Sequence, residues 1–177
     1  IYNYFTLSNR LKELAYLNRG LTIILSDLRK DEKKEEIDEL KLHKILYFSQ
    51  KEYIMLINDF LFEEDFEGWY LGSINKLVRK EYKSIKMGKE DISLKDIEKK
   101  IIDRVFDRYK DMDSYKLSDL SHKEYSWIKS RIGLKRGEKG NQKLLKEDIK
   151  IDAERYKKQL KMHFYTTKNI FCSHYPR

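Results

Sequence analysis

The sequence predicts a mainly α fold: a single compact helical domain around a buried central helix, with at most one short extended segment or hairpin near residues 66–71. Apolar residues recur mostly at the i, i+3, i+4 spacing of a helix, and period-2 alternation is almost absent. The chain has 177 residues, of which 40% are hydrophobic and 13% aromatic, enough to build the core of one domain. The charged fraction of 38% therefore describes the surface of a folded protein rather than a disordered chain.

The predicted central helix contains residues 41–50, KLHKILYFSQ, in which four apolar residues follow one another directly. One stripe at helical spacing consists of Leu42, Ile45, Leu46, Ser49, Tyr53, Leu56, Ile57 and Phe60. A second apolar face consists of Leu40, Tyr47, Phe48, Ile54 and Met55. Since a helix that is apolar nearly all round has little surface to give to water, this one is expected in the middle of the core.

Before and after the central helix, further segments show helical or extended patterns. Residues 10–25 are predicted to be helical, and residues 27–39 are a charged run that is either an exposed loop or the first turns of the central helix. Residues 66–71 form the one candidate extended segment, bounded by Asp65 and Gly72. Ser73 is then expected to cap a helix that continues to about residue 85.

The second half of the chain predicts two more helices with a loop between them. Residues 93–96 fit a capping box that opens a helix through Tyr109. Residues 133–141 hold three of the seven glycines and few apolar groups, which predicts a mobile surface loop. A last apolar stripe at helical spacing follows: Leu145, Ile149, Ala153, Tyr156, Leu160 and Phe164.

Composition excludes several classes of protein. No run approaches the roughly 18 to 20 apolar residues of a membrane span, and the first residues lack the basic-then-apolar pattern of a secretion signal. The single cysteine, Cys172, cannot form an internal disulfide, which suits a reducing compartment. We therefore expect a soluble, cytoplasmic protein with no membrane partner.

Positive charge is concentrated near the C-terminus. From residue 133 to 177 there are twelve Lys or Arg and five Asp or Glu, a net of +7 out of +8 for the whole chain. The candidate surface for a nucleic acid or an acidic partner comprises Lys135, Arg136, Lys139, Lys143, Lys150, Arg155, Lys157, Lys158 and Lys161. The alternative is an ordinary solvated helix face, and no nucleic-acid-binding motif accompanies the charge.

Signatures of catalysis are absent from the sequence. It contains no Walker-type phosphate loop, no G-x-G-x-x-G, no H-E-x-x-H and no G-x-S-x-G. His122 and Glu124 beside Trp127 form the best candidate acid–base pair, although the same residues equally fit the junction of two helices with the Trp in the core. We expect no catalytic residue and no cofactor.

Two groups of residues are candidate metal ligands. His163, Cys172 and His174 cluster near the C-terminus but lack the paired spacing of four ligands that a structural zinc site requires. Four acids, Glu63, Glu64, Asp65 and Glu67, lie within five residues, a pattern more typical of a solvated loop than of a divalent-ion site. We expect no metal at either place.

Three segments, taken in order, resemble the Panacea domain, the SocA-like, phage-associated antitoxin family. Residues 41–50, KLHKILYFSQ, are similar to its K-L-x-K-L-L-Y-F-x-Q helix. Residues 66–74, FEGWYLGSI, are similar to its F-x-A-W-x-x-G-P-V segment, with Gly68 in place of Ala and Ser73 in place of Pro. Residues 120–127, LSHKEYSW, resemble its L-S-x-x-T-H-x-x-x-x-W element at a compressed spacing. The motif residues are Lys41, Leu42, Leu46, Tyr47, Phe48, Trp69, Gly72, Ser73, His122 and Trp127.

The resemblance implies three regions: an N-terminal helical extension over 1–37, a Panacea-like helical domain over 38–165, and a C-terminal tail over 166–177. It also implies a non-enzymatic antitoxin or inhibitor that neutralises a partner protein, a cognate toxin or a host or phage target, by direct contact. One alternative is a phage-encoded effector that binds nucleic acid or a host defence nucleoprotein through the basic C-terminal third. Another is a proteolytic adaptor that delivers a toxin to a protease. The oligomeric state is left open.

Overall fold

The structure is a computed structural model that describes residues 38–82 and 95–172, with the backbone alone for 81–82 and 163–172. The predicted N-terminal extension and the predicted cap at Ser93 lie outside the described residues. The described elements are α1 (Glu39–Ile57), β1 (Phe66–Trp69), β2 (Gly72–Asn75), α2 (Lys76–Tyr82), α3 (Asp96–Tyr109), α4 (Ser114–Ser121), α5 (Tyr125–Ser130), β3 (Lys143–Leu144) and α6 (Lys146–Cys172). The prediction of a mainly α fold is confirmed for this part of the chain.

Helix α1 is buried along most of its length. The Asp38 side chain caps its N-terminus by accepting from the backbone N–H of Lys41 at 2.8 Å. Every residue from 42 to 54 is buried, and the helix packs against α3, α4, α6 and β2. Leu56 and Ile57, in its last turn, are exposed. The apolar stripe therefore belongs to the core over the first four turns of the helix and reaches the surface at its C-terminal end.

The polar residues of α1 are buried as well, and several have partners from distant parts of the chain. Gln50 accepts from the Leu61 N–H at 2.9 Å and donates to the Phe62 carbonyl at 3.0 Å. Glu52, 2% exposed, pairs with arginines of α3. Lys51 pairs with Glu124 at 2.5 Å. Because these partners satisfy the side chains of Gln50, Lys51 and Glu52, α1 can be buried on its charged side too.

The strands form one antiparallel sheet in the order β2-β1-β3. In the hairpin Phe66 lies opposite Asn75 and Trp69 opposite Gly72, so the expected extended segment is present. The limit of one hairpin was wrong, because β3 adds a third strand to the other edge of β1. A strand of two residues carries no period-2 pattern, and its pairing depends on a contact that is distant in sequence.

The expectation that Ser73 caps a helix is wrong. Ser73 lies within β2, paired with Gly68, and α2 begins only at Lys76. The Asn75 side chain takes the cap position, since its Oδ1 accepts from the backbone N–H groups of Leu77 and Val78 at 3.1 Å each.

Segment 133–141, predicted to be a mobile surface loop, is attached to the sheet through Arg131. This side chain is only 8% exposed. Its guanidinium donates to the carbonyls of Gly68 at 3.0 Å and Glu138 at 2.6 Å. Arg131 therefore joins the turns of this segment to β1.

The last helix, α6, is partly in the core and partly beyond it. Ile149 and Ala153 are buried against the core, whereas Leu145 and Leu160 are about half exposed. All residues from 157 to 162 are exposed. Among the members of the predicted apolar stripe whose side chains the structure describes, Ile149 and Ala153 in the middle are thus buried, and Leu145 and Leu160 on either side are not. None of the helices in the described part of the chain is both long and apolar enough to cross a bilayer.

Candidate functional site

The three motif segments meet at one point inside the fold. The Lys44 Nζ, from α1, donates to the Ser73 carbonyl in β2 at 2.8 Å. Gly72 has a φ of 103°, and a Cβ there would clash with the Ser121 Oγ and lie 2.8 Å from the Lys44 Nζ. A glycine is required for both conformation and space. The motif residues of the hairpin therefore hold α1 and the end of α4 together.

Lys44 carries a buried amine with no carboxylate partner among the described residues. Its side chain is 0% exposed. Burial lowers its pKa from 10.5 to about 7, and the Asp38 charge opposes this shift. Burial of a lysine amine without an ionic partner reduces the free energy of unfolding. Lys44 is therefore the residue at this contact whose substitution tests the structure best.

Tyr47 forms a second buried polar contact. Its hydroxyl lies 2.9 Å from the Ser126 Oγ and donates to the Asp152 Oδ2 at 3.0 Å. Burial first, and then the charges of Glu124 and Asp152, raise the pKa of Tyr47 well above its usual range. Asp152 also accepts from the backbone N–H groups of Tyr125 at 2.6 Å and Ser126 at 3.0 Å, which caps α5. Tyr47 therefore joins α1, α5 and α6 through one carboxylate.

The remaining motif residues divide between core and surface. Leu42, Leu46 and Phe48 lie in the hydrophobic core. Lys41 is half-buried, and its Nζ donates to the Lys110 carbonyl at 2.6 Å. Trp69 is half-buried, and its indole N–H donates to Glu67 at 3.0 Å. The Arg79 guanidinium lies 4.8 Å from the centre of the Trp69 ring.

A surface groove of about 620 Å³ lies beside the third motif segment, and we call it the α4–α5 groove. It is bordered by the hairpin turn, by α4, by α5 and by the segment that Arg131 attaches. Its lining consists of Tyr70, Leu71, Tyr115, Ser118, Asp119, His122, Trp127, Ile128, Arg131, Leu134, Lys135, Arg136 and Gly137. Its size lies within the range of ligand pockets, and His122 and Trp127 of the third motif segment are among its lining residues.

The His122 and Trp127 rings form one wall of the groove. They stack with centroids 4.1 Å apart and an interplanar angle of 24°. The Trp127 indole N–H donates to the Trp69 carbonyl at 2.9 Å, which fixes the ring. Trp127 is therefore half-buried at the surface rather than in the core. Burial, and then the Lys44 charge, lower the pKa of His122, so the imidazole is neutral at pH 7.

The structure does not bring His122 and Glu124 together as an acid–base pair. The imidazole instead lies 3.3 Å from the Ser118 Oγ and 3.9 Å from the Asp119 carboxylate, and it also hydrogen-bonds with the Tyr70 backbone. Glu124 instead pairs with Lys51. Burial raises the pKa of Glu124, and the neighbouring Lys51 charge opposes the shift.

Three of the four acids in the candidate metal cluster form ion pairs with lysines. Asp65 pairs with Lys143 at 2.5 Å, Glu63 pairs with Lys146, and Glu67 pairs with Lys76 at 3.0 Å. Within residues 38–82 and 95–172 no group of three or more metal-ligating side chains comes together. The side chains of His163 and Cys172, and all of His174, lie outside the described residues.

The candidate basic surface is distributed over several elements. Lys135 and Arg136 line the α4–α5 groove, and Lys139 is exposed further along the same segment. Lys143 is used in the ion pair with Asp65. The remaining members lie on α6 and are exposed: Lys150, Arg155, Lys157, Lys158 and Lys161. Lys150 lies 5.0 Å from the Phe60 ring centre, and Arg155 lies 4.7 Å from that of Tyr125.

Sequence reasoning missed several residues that build the site. Arg131 and Asp152 belong to no motif, and nothing local distinguishes them from the many other charged residues of the sequence. Only the fold shows that they are buried. Tyr70 and Tyr115 were missed as well, although they are 43% and 66% exposed beside the groove. The one sign of a functional surface in the sequence was the aromatic side chain of Tyr70 at a hairpin turn, because turn residues are normally polar.

Comparison with known proteins identifies the family. Residues 42–128 match the model of the family described as "Antitoxin SocA-like, Panacea domain". DNA gyrase B of Halalkalibacterium halodurans is 50% identical over 36 residues, 20% of this chain and 6% of that protein. DNA gyrase B from each of two Staphylococcus epidermidis strains is 42% identical over 59 residues, 33% of this chain and 8% of that protein.

The chain thus spans only 6% to 8% of the length of these curated relatives. No solved structure matches it. The family match covers all three motif segments, apart from the first residue of the first one. It includes the contacts of Lys44 and Gly72 and the contact of Tyr47 with Ser126, whereas Asp152 lies outside it. Over residues 42–128 the chain is therefore a member of the antitoxin SocA-like, Panacea domain family.

Proposed function

We propose that this protein is a non-enzymatic antitoxin that neutralises a partner protein by direct contact. The single observation that carries the proposal is the family match over residues 42–128. The interior position of Lys44 and Tyr47, in the first motif segment, supports it, because both side chains make contacts that hold elements together and do not face an open cleft. The stretches similar to DNA gyrase B are too short a part of that protein to carry its activity over to this chain.

The proposal is tested by co-expression in a bacterial host. Each toxin candidate encoded beside this protein is induced with and without it, and colony formation is counted. We expect growth to be restored for one cognate toxin, and the two proteins to co-purify as a complex. A Tyr47→Asp variant, which places a charge in the core, is the unfolded control and should not restore growth. If no neighbouring candidate is neutralised and no protein partner co-purifies, the proposal is wrong.

Delivery to a protease is a different use of the same contact. Measuring the toxin's half-life after translation is stopped separates the two mechanisms. Neutralisation by contact leaves the toxin present and inactive, whereas an adaptor shortens its half-life.

A second candidate function, binding of nucleic acid, is favoured by one observation: five basic residues of α6 are exposed. Lys150, Lys157 and Lys161 share one face of the helix by their spacing, although Glu154 lies on that face too. The triple variant Lys157→Glu, Lys158→Glu, Lys161→Glu should weaken binding to a duplex probe and flatten its salt dependence. Unchanged affinity would remove this candidate.

A further inference from the structure

We propose that the α4–α5 groove is the partner-binding surface and that it takes an acidic segment of the partner protein, with an aromatic or aliphatic side chain next to a carboxylate. The proposal rests on the proposed function, because it names the surface through which a neutralised protein would be held. Neither the family match nor the motif contacts assign this surface.

Three of the eleven large apolar side chains that are exposed in the described part of the chain line the groove. Tyr70, Tyr115 and Ile128 line it and are 43%, 66% and 50% exposed. Trp127 is half-buried in its wall. Aromatic residues and arginines are the types that dominate binding energy at protein interfaces, and here they surround one concavity. The groove can therefore bind apolar side chains of a partner protein.

The charge of the groove is positive. Among its lining residues Arg131, Lys135 and Arg136 are cations, whereas Asp119 is the one carboxylate. The Arg131 guanidinium is bonded to backbone carbonyls, and none of the ion pairs in the described part of the chain neutralises it. A buried cation held by carbonyls alone leaves a positive potential at the surface above it. Charge complementarity therefore selects a partner segment that carries a carboxylate.

The cations near the groove also act on His122, in its wall. Burial lowers the pKa of its imidazole most, and the charges of Lys44 and Arg131 lower it further, while the Asp119 charge and a hydrogen bond with the Tyr70 backbone oppose them. The positive field thus reaches the stacked ring that forms the groove wall. A neutral imidazole does not attract a carboxylate by charge. An incoming carboxylate therefore pairs with the cations of the groove rather than with His122.

The walls of the groove are fixed before any partner binds. Trp127 is held by its hydrogen bond to the Trp69 carbonyl, and the Ser118 hydroxyl donates to the Leu71 carbonyl at 2.7 Å. Arg131 holds the opposite wall through Gly68 and Glu138. Because the groove is preorganised, binding loses little conformational entropy. A preorganised groove favours binding of one extended segment of the partner over binding of a large partner surface that rearranges.

The first test uses a phage-displayed library of random peptides against the full chain. We expect the selected peptides to be enriched in Asp or Glu next to Trp, Phe, Tyr or Leu. A synthetic consensus peptide should change the fluorescence of Trp127, which lies in the groove. The double variant Lys135→Glu, Arg136→Glu should weaken its binding by about tenfold or more. The matched control, Lys157→Glu with Lys158→Glu on exposed α6, should change it less than about twofold.

The second test puts the same variants into the co-expression assay. Loss of rescue with the groove variant and rescue with the control support the proposal. If wild type and groove variant rescue equally, the groove is wrong and the antitoxin function stands. If wild type rescues nothing but the acidic peptide binds the groove, the antitoxin function is wrong and the groove stands.

Three other results overturn the groove proposal. They are selected peptides without acidic enrichment, equal peptide binding by the groove variant and the wild type, and tight binding of an oligothymidine probe that the groove variant abolishes. The last would assign the groove to single-stranded nucleic acid. Circular dichroism and melting temperature of each variant establish that it is folded.

Discussion

Replacement of Lys44 by Met should stabilise the protein near neutral pH and lose that gain in alkaline solution. Because burial lowers the pKa of Lys44 in the folded protein to about 7, the unfolded chain binds more protons between that value and 10.5. The free energy of unfolding of the wild type should therefore rise with pH across this window. From about pH 7 to about pH 9.5 the Lys44 contribution amounts to about 3 kcal/mol, since each pKa unit corresponds to about 1.36 kcal/mol.

The Lys44→Met variant lacks this pH-dependent contribution. Met has a similar length and no charge, but it cannot donate to the Ser73 carbonyl, which costs about 1 to 3 kcal/mol. We expect the variant to be more stable than the wild type by about 1 to 3 kcal/mol near pH 7, and to lose that advantage near about pH 9.5.

Urea unfolding followed by circular dichroism at several pH values measures this difference. Subtracting the variant from the wild type isolates Lys44, because the tyrosines titrate alike in both. Lys157→Met, on the exposed part of α6, is the matched control and should leave the pH dependence as in the wild type. Equal slopes for Lys44→Met and wild type would show that the Lys44 amine is not desolvated in the folded state, and would refute the reasoning.

Two further substitutions test the motif contacts. Tyr47→Phe removes the hydroxyl that reaches Asp152 and should lower the free energy of unfolding by about 1 to 3 kcal/mol, whereas Tyr115→Phe, on the surface, should have no measurable effect. Gly72→Ala should cost more than about 2 kcal/mol in urea unfolding, because its φ is positive and the space for a Cβ is filled. Gly137→Ala shares the positive φ but meets nothing within 4 Å, so it measures the conformational cost alone. Equal losses at both tyrosines, or at both glycines, would contradict these contacts.

The apolar pattern predicted the helical class because the spacing of apolar residues along α1 can be read directly from the sequence. Leu42, Leu46 and Phe48 lie in the core as a stripe of this kind implies. The same logic failed for Leu160, which belongs to the stripe but lies where α6 extends beyond the core. Periodicity shows that a face is apolar, not that another element covers it.

Polar residues were the least predictable. Nothing local separates the buried Lys44 or Lys51 from the many exposed lysines of this chain, because the partners that allow burial come from β2 and from the start of α5. Asn75 was missed as a helix cap for a related reason: pairing between β1 and β2 moved the start of α2.

The sequence by itself determined the helical class, the position of α1 and the family, since each is encoded in short segments of the chain. Only the tertiary structure decided that Lys44, Gly72 and Ser121 meet, that Arg131 turns inward, and that Tyr70, Tyr115 and Trp127 surround one groove. Contacts between residues far apart in sequence, and the burial they produce, arise when the elements pack, and no local pattern specifies them.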